Sequence, residues 1–179
     1  MELQEIILGF LDWQPLTGYE LKKMFSELDF LPWSGNNNQI YKSLIELDDQ
    51  NLVIKDVIQQ ENYPAQKRYR ATKEGHDILK EAVLKDAEIP TFRNDFLLHL
   101  LWADCLTHAE LMSIINKYQD KVNNELLLYQ GKIKKDKLHA SRNYRESFIW
   151  DMIMHRRAEY LQNELNWLTR LRNGLANKE

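Results

Sequence analysis

The stretch SGNNNQIYKSLIELDDQNLV, residues 34–53, gathers four amide side chains, Asn36, Asn37, Asn38 and Gln39, at the head of an amphipathic segment. An asparagine at a helix N-cap accepts an orphan backbone N–H, but one cap needs one residue. An amide also carries donor and acceptor side by side, a geometry that pairs bidentately with N6 and N7 of adenine in the major groove. A helix N-terminus, in addition, receives phosphate. Taken alone, the cluster fits a cap with a solvated loop as well as it fits a nucleic-acid contact. A second set is Lys67, Arg68 and Arg70 in KRYRA, which suits either a solvated strand or contact with a phosphate backbone. A third is Trp102, Trp150, His99 and His155, flat groups that suit a flat ligand and equally suit packing between copies, the reading preferred here. The run His155-Arg156-Arg157 reads as a solvated helix face or an ion-pair donor to a second copy, and Cys105 as a buried small hydrophobe. No metal-ligand spacing, glycine-rich phosphate loop or nucleophile elbow occurs. An enzyme is therefore not expected, nor a cofactor or metal.

The elements that must position these residues follow from periodicity. LQEIILGFL, residues 3–11, reads as a short buried helix. Thr17 and Glu20 form a capping box for a second helix with Leu21, Met24, Phe25 and Leu28 at helical spacing, ending near Asp29 before the loop FLPWSG. The third helix starts at the asparagines. With Ile40 as reference, Leu44 and Leu47 fall within about 40° and form its core stripe. Asn38 and Lys42 lie opposite, flanked by Gln39 and Tyr41, with Ile45, Glu46 and Asp49 further along. NLVIKDVIQ reads as a strand, QENYPAQ as a turn and KRYRA as a second strand with Lys67 and Tyr69 on one face, Arg68 and Arg70 on the other. Tyr19 and Tyr69 read as core. Thr72 caps a fourth helix, TKEGHDILKEAVL. Three helices, a hairpin and a helix in this order make a winged helix-turn-helix, residues 1–85. After the polar linker KDAEIP, residues 86–179 read as helical throughout. Phe92, Phe96 and Leu100 mark one helix ending near Cys105. THAE opens a long one with Leu111, Ile115, Tyr118, Val122, Leu126, Tyr129 and Ile133, and KIKKDKLHASRN interrupts. A last helix carries the stripe Trp150, Met154, Ala158, Leu161, Leu165 and Leu168, and a second stripe of Ile149, Ile153, Tyr160 and Trp167. Two stripes exceed what one neighbour covers, so the long antiparallel helices are expected to join two copies. Phe96, Leu100, Trp150, Met154, Leu161, Leu165 and Leu168 are the expected contact residues. The fold class is mainly α with a small β-hairpin.

Composition bounds the function. With 44% hydrophobic and 28% charged residues the chain reads as an ordinary globular protein. Residues 1–80 hold 9 Lys/Arg against 13 Asp/Glu, hence −4, and residues 81–179 hold 15 against 14, hence +1. Neither half is basic in bulk, so nucleic-acid binding has to rest on a local patch. A single cysteine suits a reducing compartment. The start, Met-Glu-Leu-Gln-Glu, lacks a basic leader, and the longest oily run, FLLHLLWADCL, is too short to span a bilayer. A cytoplasmic location with no membrane contact is expected.

IILGFLDWQPLTGYELKKMF, NNNQIYKSLIELDDQNLV and KRYRATKEGHDIL together resemble the PadR family of bacterial transcriptional regulators. The tail, from FRNDFLLHLLWADCLTHAEL to LNWLTRL, resembles the helical C-terminal domain of the longer members, the AphA-like virulence activators. The resemblance implies a homodimer on a pseudo-palindromic operator in double-stranded DNA, with repression the commoner behaviour. It places Asn36, Asn37, Asn38, Gln39, Tyr41, Lys42, Lys67, Arg68 and Arg70 at the DNA. Two departures stand out: Lys42 follows the Ile-Tyr pair where many members have proline, and asparagines replace a serine-rich helix start. A small aromatic or phenolic effector at Trp102, Trp150 and His99 is a further expectation. The competing class is an adaptor whose winged helix no longer binds DNA, favoured by the acidic N-terminal half.

Overall fold

A computed structural model describes residues 1–28, 30–31, 36–60, 63–135 and 142–176, without the side chains of Asn37, Gln60, Tyr63, Pro64, Ala65 and Lys135. The chain divides into two compact units, Met1–Ile89 and Pro90–Glu179.

In the first unit, α1 (Leu3–Trp13) is opened by a capping box between Glu2 and Glu5 and buries Ile7, Leu8, Phe10 and Leu11. A short strand β1 (Leu16–Thr17) leads into α2 (Gly18–Glu27). The Thr17–Glu20 box forms as expected: the Glu20 N–H donates to Thr17 Oγ1 at 3.2 Å and the Thr17 N–H to Glu20 Oε2 at 2.7 Å. Leu21, Met24 and Phe25 face inward, and Phe25 meets Phe10 edge-on at 5.5 Å. α3 (Asn37–Asp49) buries Ile40, Leu44 and Leu47 almost completely, which is the stripe its periodicity requires. It ends in a Schellman arrangement. Asn51 takes a left-handed φ of 57°, and the Leu52 and Asn51 N–H groups donate to the carbonyls of Leu47 and Asp48 at 2.9 and 3.0 Å.

β2 (Val53–Gln60) and β3 (Tyr63–Ala71) form the hairpin, followed by α4 (Lys73–Val83). Their register runs from Val53 opposite Ala71 to Gln60 opposite Tyr63. QENYPAQ is therefore not all turn: Tyr63 to Gln66 are strand, and residues 61–62, between the two strands, lie outside the described residues. Pro64 is accommodated because Ile58 pairs with Gln66 and Gln60 with Tyr63, leaving Gln59 opposite two residues, a bulge where a missing N–H is tolerated. The sheet order is β1-β3-β2, since Leu16 and Thr17 pair with Tyr69 and Arg68. That third strand is too short to leave an alternating pattern in the sequence. Thr72 accepts from the Gly75 N–H at 3.0 Å and caps α4, as expected. Gly75 is required by a close approach: a Cβ there would stand 2.2 Å from the Leu52 carbonyl oxygen.

The second unit holds α5 (Asp95–Leu101), a 3₁₀ turn at Ala103–Cys105, α6 (His108–Lys135) and α7 (Tyr144–Ala176). Phe92 precedes α5 and is exposed, and the helix stops at Leu101 rather than near Cys105. The Thr107–Glu110 box opens α6 as expected. α6 and α7 run antiparallel, shown by the pairs Tyr118–Glu164, Glu125–Arg157 and Gln119–Arg172. Residues 136–141, the centre of the segment expected to interrupt the helices, lie outside the described residues.

The seam between α6 and α7 corrects an expectation. Leu161, Leu165 and Leu168 pack with Phe96, Ile115, Val122 and Leu126 of the same chain, and Leu100 adjoins them. Trp150 and Met154 are buried too. The stripe assigned to a contact between copies is thus used within one chain, where its side chains keep almost no surface to offer. Most of the second stripe remains open: Ile149, Ile153 and Tyr160 are all exposed, as are Phe148 and Met152, whereas Trp167 is partly buried against the same cluster.

Candidate nucleic-acid interface

One asparagine of the cluster is spent on the cap. Asn36 Oδ1 accepts the Asn38 N–H at 3.0 Å, and the Asn36 carbonyl takes the Gln39 and Ile40 N–H groups at 3.1 Å. The Asn37 backbone opens α3, while its side chain lies outside the described residues. Asn38 and Gln39 project their amides outward, and neither has a partner among the described residues. Ile40 anchors the helix from behind with 1% exposure.

Tyr41 lies against the start of α2. A Cβ on Gly18 would come within 2.6 Å of Tyr41 Cε1 and 3.0 Å of its hydroxyl, so the glycine makes room for the ring. Half of Tyr41 stays exposed. Lys42 reaches Glu46 at 3.7 Å, one turn on, in an exposed pair of small energetic worth.

Two of the three β3 cations, Arg68 and Arg70, lie beside carboxylates. Arg68 Nη2 sits 3.5 Å from Glu20 Oε1, while the other oxygen of Glu20 completes the α2 cap. Arg68 Nε is buried with no hydrogen-bond partner among the described residues. Arg70 Nε lies 4.0 Å from Asp56 Oδ2. Lys67 is exposed with no ion pair among the described residues. Tyr69 shares the Lys67 face but is buried, and burial raises its hydroxyl pKa. Lys55, at the base of β2, is held by Asp48 of α3, which raises its pKa and ties wing to helix. Asn38, Gln39 and Lys42 thus share the outer side of α3, and β3 of the wing carries three further cations, Lys67, Arg68 and Arg70. Glu20 was legible only as a cap residue. Its second role, steadying Arg68 across the sheet, left no local signal.

Tyr19, expected in the core, is 72% exposed, because α2 turns its Leu21–Met24–Phe25 stripe inward instead. Cys105, expected to be buried, is exposed, with its Sγ donating to the Trp102 carbonyl at 3.0 Å. The aromatic trio is not gathered within one chain. Trp102 and His99 are exposed on and just after α5, close in sequence to Phe96, which stacks on Tyr118 at 3.9 Å and meets Trp167 edge-on. Trp150 is buried and lies on α7 roughly 25 Å before Trp167. His99 Nε2 approaches Asp95 at 3.4 Å. Among the described residues no group of three His, Cys, Asp or Glu is arranged to hold a metal. No helix among them is long and apolar enough to cross a membrane.

A helix-turn-helix of α2 and α3, flanked by a β-hairpin that carries cations, defines a winged helix-turn-helix protein. The sequence profile described as the transcriptional regulator PadR-like family matches residues 7–81, and that described as the virulence activator alpha C-terminal domain matches residues 92–176. The chain belongs to the PadR-like family of transcriptional regulators, in the branch with a helical C-terminal domain. It is 28% identical over 134 residues to the negative transcriptional regulator PadR of Bacillus subtilis, covering 74% of each chain. The crystal structure of that Bacillus protein with operator DNA superposes with a TM-score of 0.79 at 25% identity, over 94% of this chain and 96% of the other. Its complex with p-coumaric acid gives a TM-score of 0.75 at 24% identity, over 94% and 92%.

Proposed function

We propose that this chain is a sequence-specific DNA-binding repressor that acts as a homodimer on a pseudo-palindromic operator in the bacterial cytoplasm. Residues 1–85 bind DNA and residues 86–179 join the two copies. The observation that carries the reading is the division of labour at the head of α3: Asn36 caps the helix, which frees Asn38 and Gln39. Recognition helices bring their N-terminal residues to base edges, and an amide there reads adenine. Lys42, Lys67, Arg68 and Arg70 take phosphates, and Tyr41 borders the same groove. The second α7 stripe, Ile149, Ile153 and Tyr160, seats the partner copy, since apolar surface of this extent on a long helix favours burial. Repression follows the negative regulator it resembles. A phenolic acid, as bound by the Bacillus protein, is the proposed effector class, with Trp102 and His99 in its vicinity.

The test is selection of bound duplexes from random DNA, followed by affinity against salt. A palindromic consensus and a logarithmic salt slope of several units support the reading. The adaptor reading draws on the acidic first half and on Glu46, Glu20 and Asp56 standing beside Lys42, Arg68 and Arg70. It requires no consensus and no salt-dependent duplex binding.

A further inference from the structure

One aliphatic side chain stands on the reading face of α3. At 100° per residue, Asn38, Lys42, Ile45 and Asp49 fall within about 40° of one line, opposite Ile40, Leu44 and Leu47. Ile45 is 60% exposed. A lone exposed isoleucine is ordinary on a surface. This one occupies the file that holds the free amide of Asn38 and the Lys42 ammonium, where every other side chain is polar. The major groove offers one apolar group with which such a side chain can pack, the C5-methyl of thymine.

We propose that Ile45 is a base-reading residue that packs on a thymine methyl in the major groove, an inference that rests on the DNA-binding reading above. Asn38 and Ile45 are seven positions apart, a rise of about 10 Å, or about three base-pair steps along a helix lying in the groove. The geometry therefore places the thymine about three steps from the adenine read by Asn38, once in each half-site.

The experiment uses the selected operator with each thymine replaced in turn by deoxyuridine, which removes only the methyl group. Full-length protein, Ile45→Ala and Ile45→Val are titrated on the series, and thermal unfolding checks that the variants are folded. The expected result is a loss of about fourfold at one position per half-site for the unaltered protein, the worth of one buried methyl-sized group. Ile45→Ala loses a similar factor on the thymine operator and becomes indifferent to deoxyuridine there, whereas Ile45→Val keeps the sensitivity. Deoxyuridine without effect at every position, sensitivity that persists in Ile45→Ala, or a selected half-site without thymine at that spacing overturns the assignment while operator binding stands. Absence of salt-dependent binding to any duplex overturns both this inference and the regulator reading.

Discussion

Leu168→Ala and Ile153→Asp alter two faces of one helix, and the proposed homodimer gives them different consequences. Leu168 has 0% exposure in the α6–α7 seam, so truncation removes buried methyl groups and leaves a cavity. Such changes cost about 2–5 kcal/mol, out of a total stability of roughly 5–15 kcal/mol. The midpoint of thermal unfolding should fall by at least about 4 °C. Ile153 is 40% exposed, and within one chain a substitution there is worth about ±0.5 kcal/mol. Against a second copy the same aspartate is an unpaired charge in an apolar seam. A penalty of about 3–4 kcal/mol weakens association by two to three orders of magnitude. Sedimentation equilibrium at micromolar concentration and far-ultraviolet melting separate the two effects. Ile153→Asp should give a folded, helical monomer, and Leu168→Ala a dimer of lowered melting point. The reverse pattern, an intact dimer for Ile153→Asp together with dissociation of an otherwise unaltered Leu168→Ala, would refute the division of the two stripes.

Asn38→Ala and Gln39→Ala should each cost about 1–3 kcal/mol on the best operator and relax base preference, whereas Lys67→Ala should weaken all duplexes alike and reduce the salt slope by about one; equilibrium titration on matched and scrambled sites at several salt concentrations distinguishes them. Glu20→Gln should lower operator affinity without touching DNA, by releasing Arg68 while the glutamine oxygen keeps the α2 cap, and the deficit should appear equally on all sequences; a change confined to one base position argues against the brace. Gly75→Ala should destabilise the first unit strongly, because its Cβ meets backbone rather than a movable side chain, and urea unfolding measures it. The hydrogen bond from Lys85, then that from the Glu2 N–H, holds the Glu5 carboxyl below its ordinary pKa of 4.5, so the stability it contributes is present above that pH and lost as pH falls through the lower folded value. The difference between unaltered protein and Glu5→Gln in urea midpoint should therefore shrink on acidification below about pH 4.5.

Capping residues and apolar spacing carried most of the fold into the sequence. Thr17, Thr72 and Thr107 each mark the helix start that the structure shows, because a cap is satisfied within three residues. Ile40, Leu44 and Leu47 identify the buried face of α3, and hence the outward side on which Asn38 and Lys42 stand. β1 was illegible, since two residues carry no period and its partner lies about fifty positions away. Tyr19 and Cys105 were misjudged for a related reason: residue type records a preference for burial, but exposure depends on which neighbours arrive. The bracing of Arg68 by Glu20 and of Lys55 by Asp48 depends on strand register and helix placement, neither of which is local.

The two stripes of α7 divide the matter most cleanly. Their existence was determined by the sequence alone, because a period of 3.6 residues sorts side chains into faces whatever surrounds the helix. Which stripe closes the chain upon itself, and which is left exposed, was decided only by the tertiary structure. A leucine side chain loses the same contact with water against its own chain as against a second copy. Apolar spacing therefore specifies that a face must be covered, and only the packed arrangement of α5, α6 and α7 specifies by what.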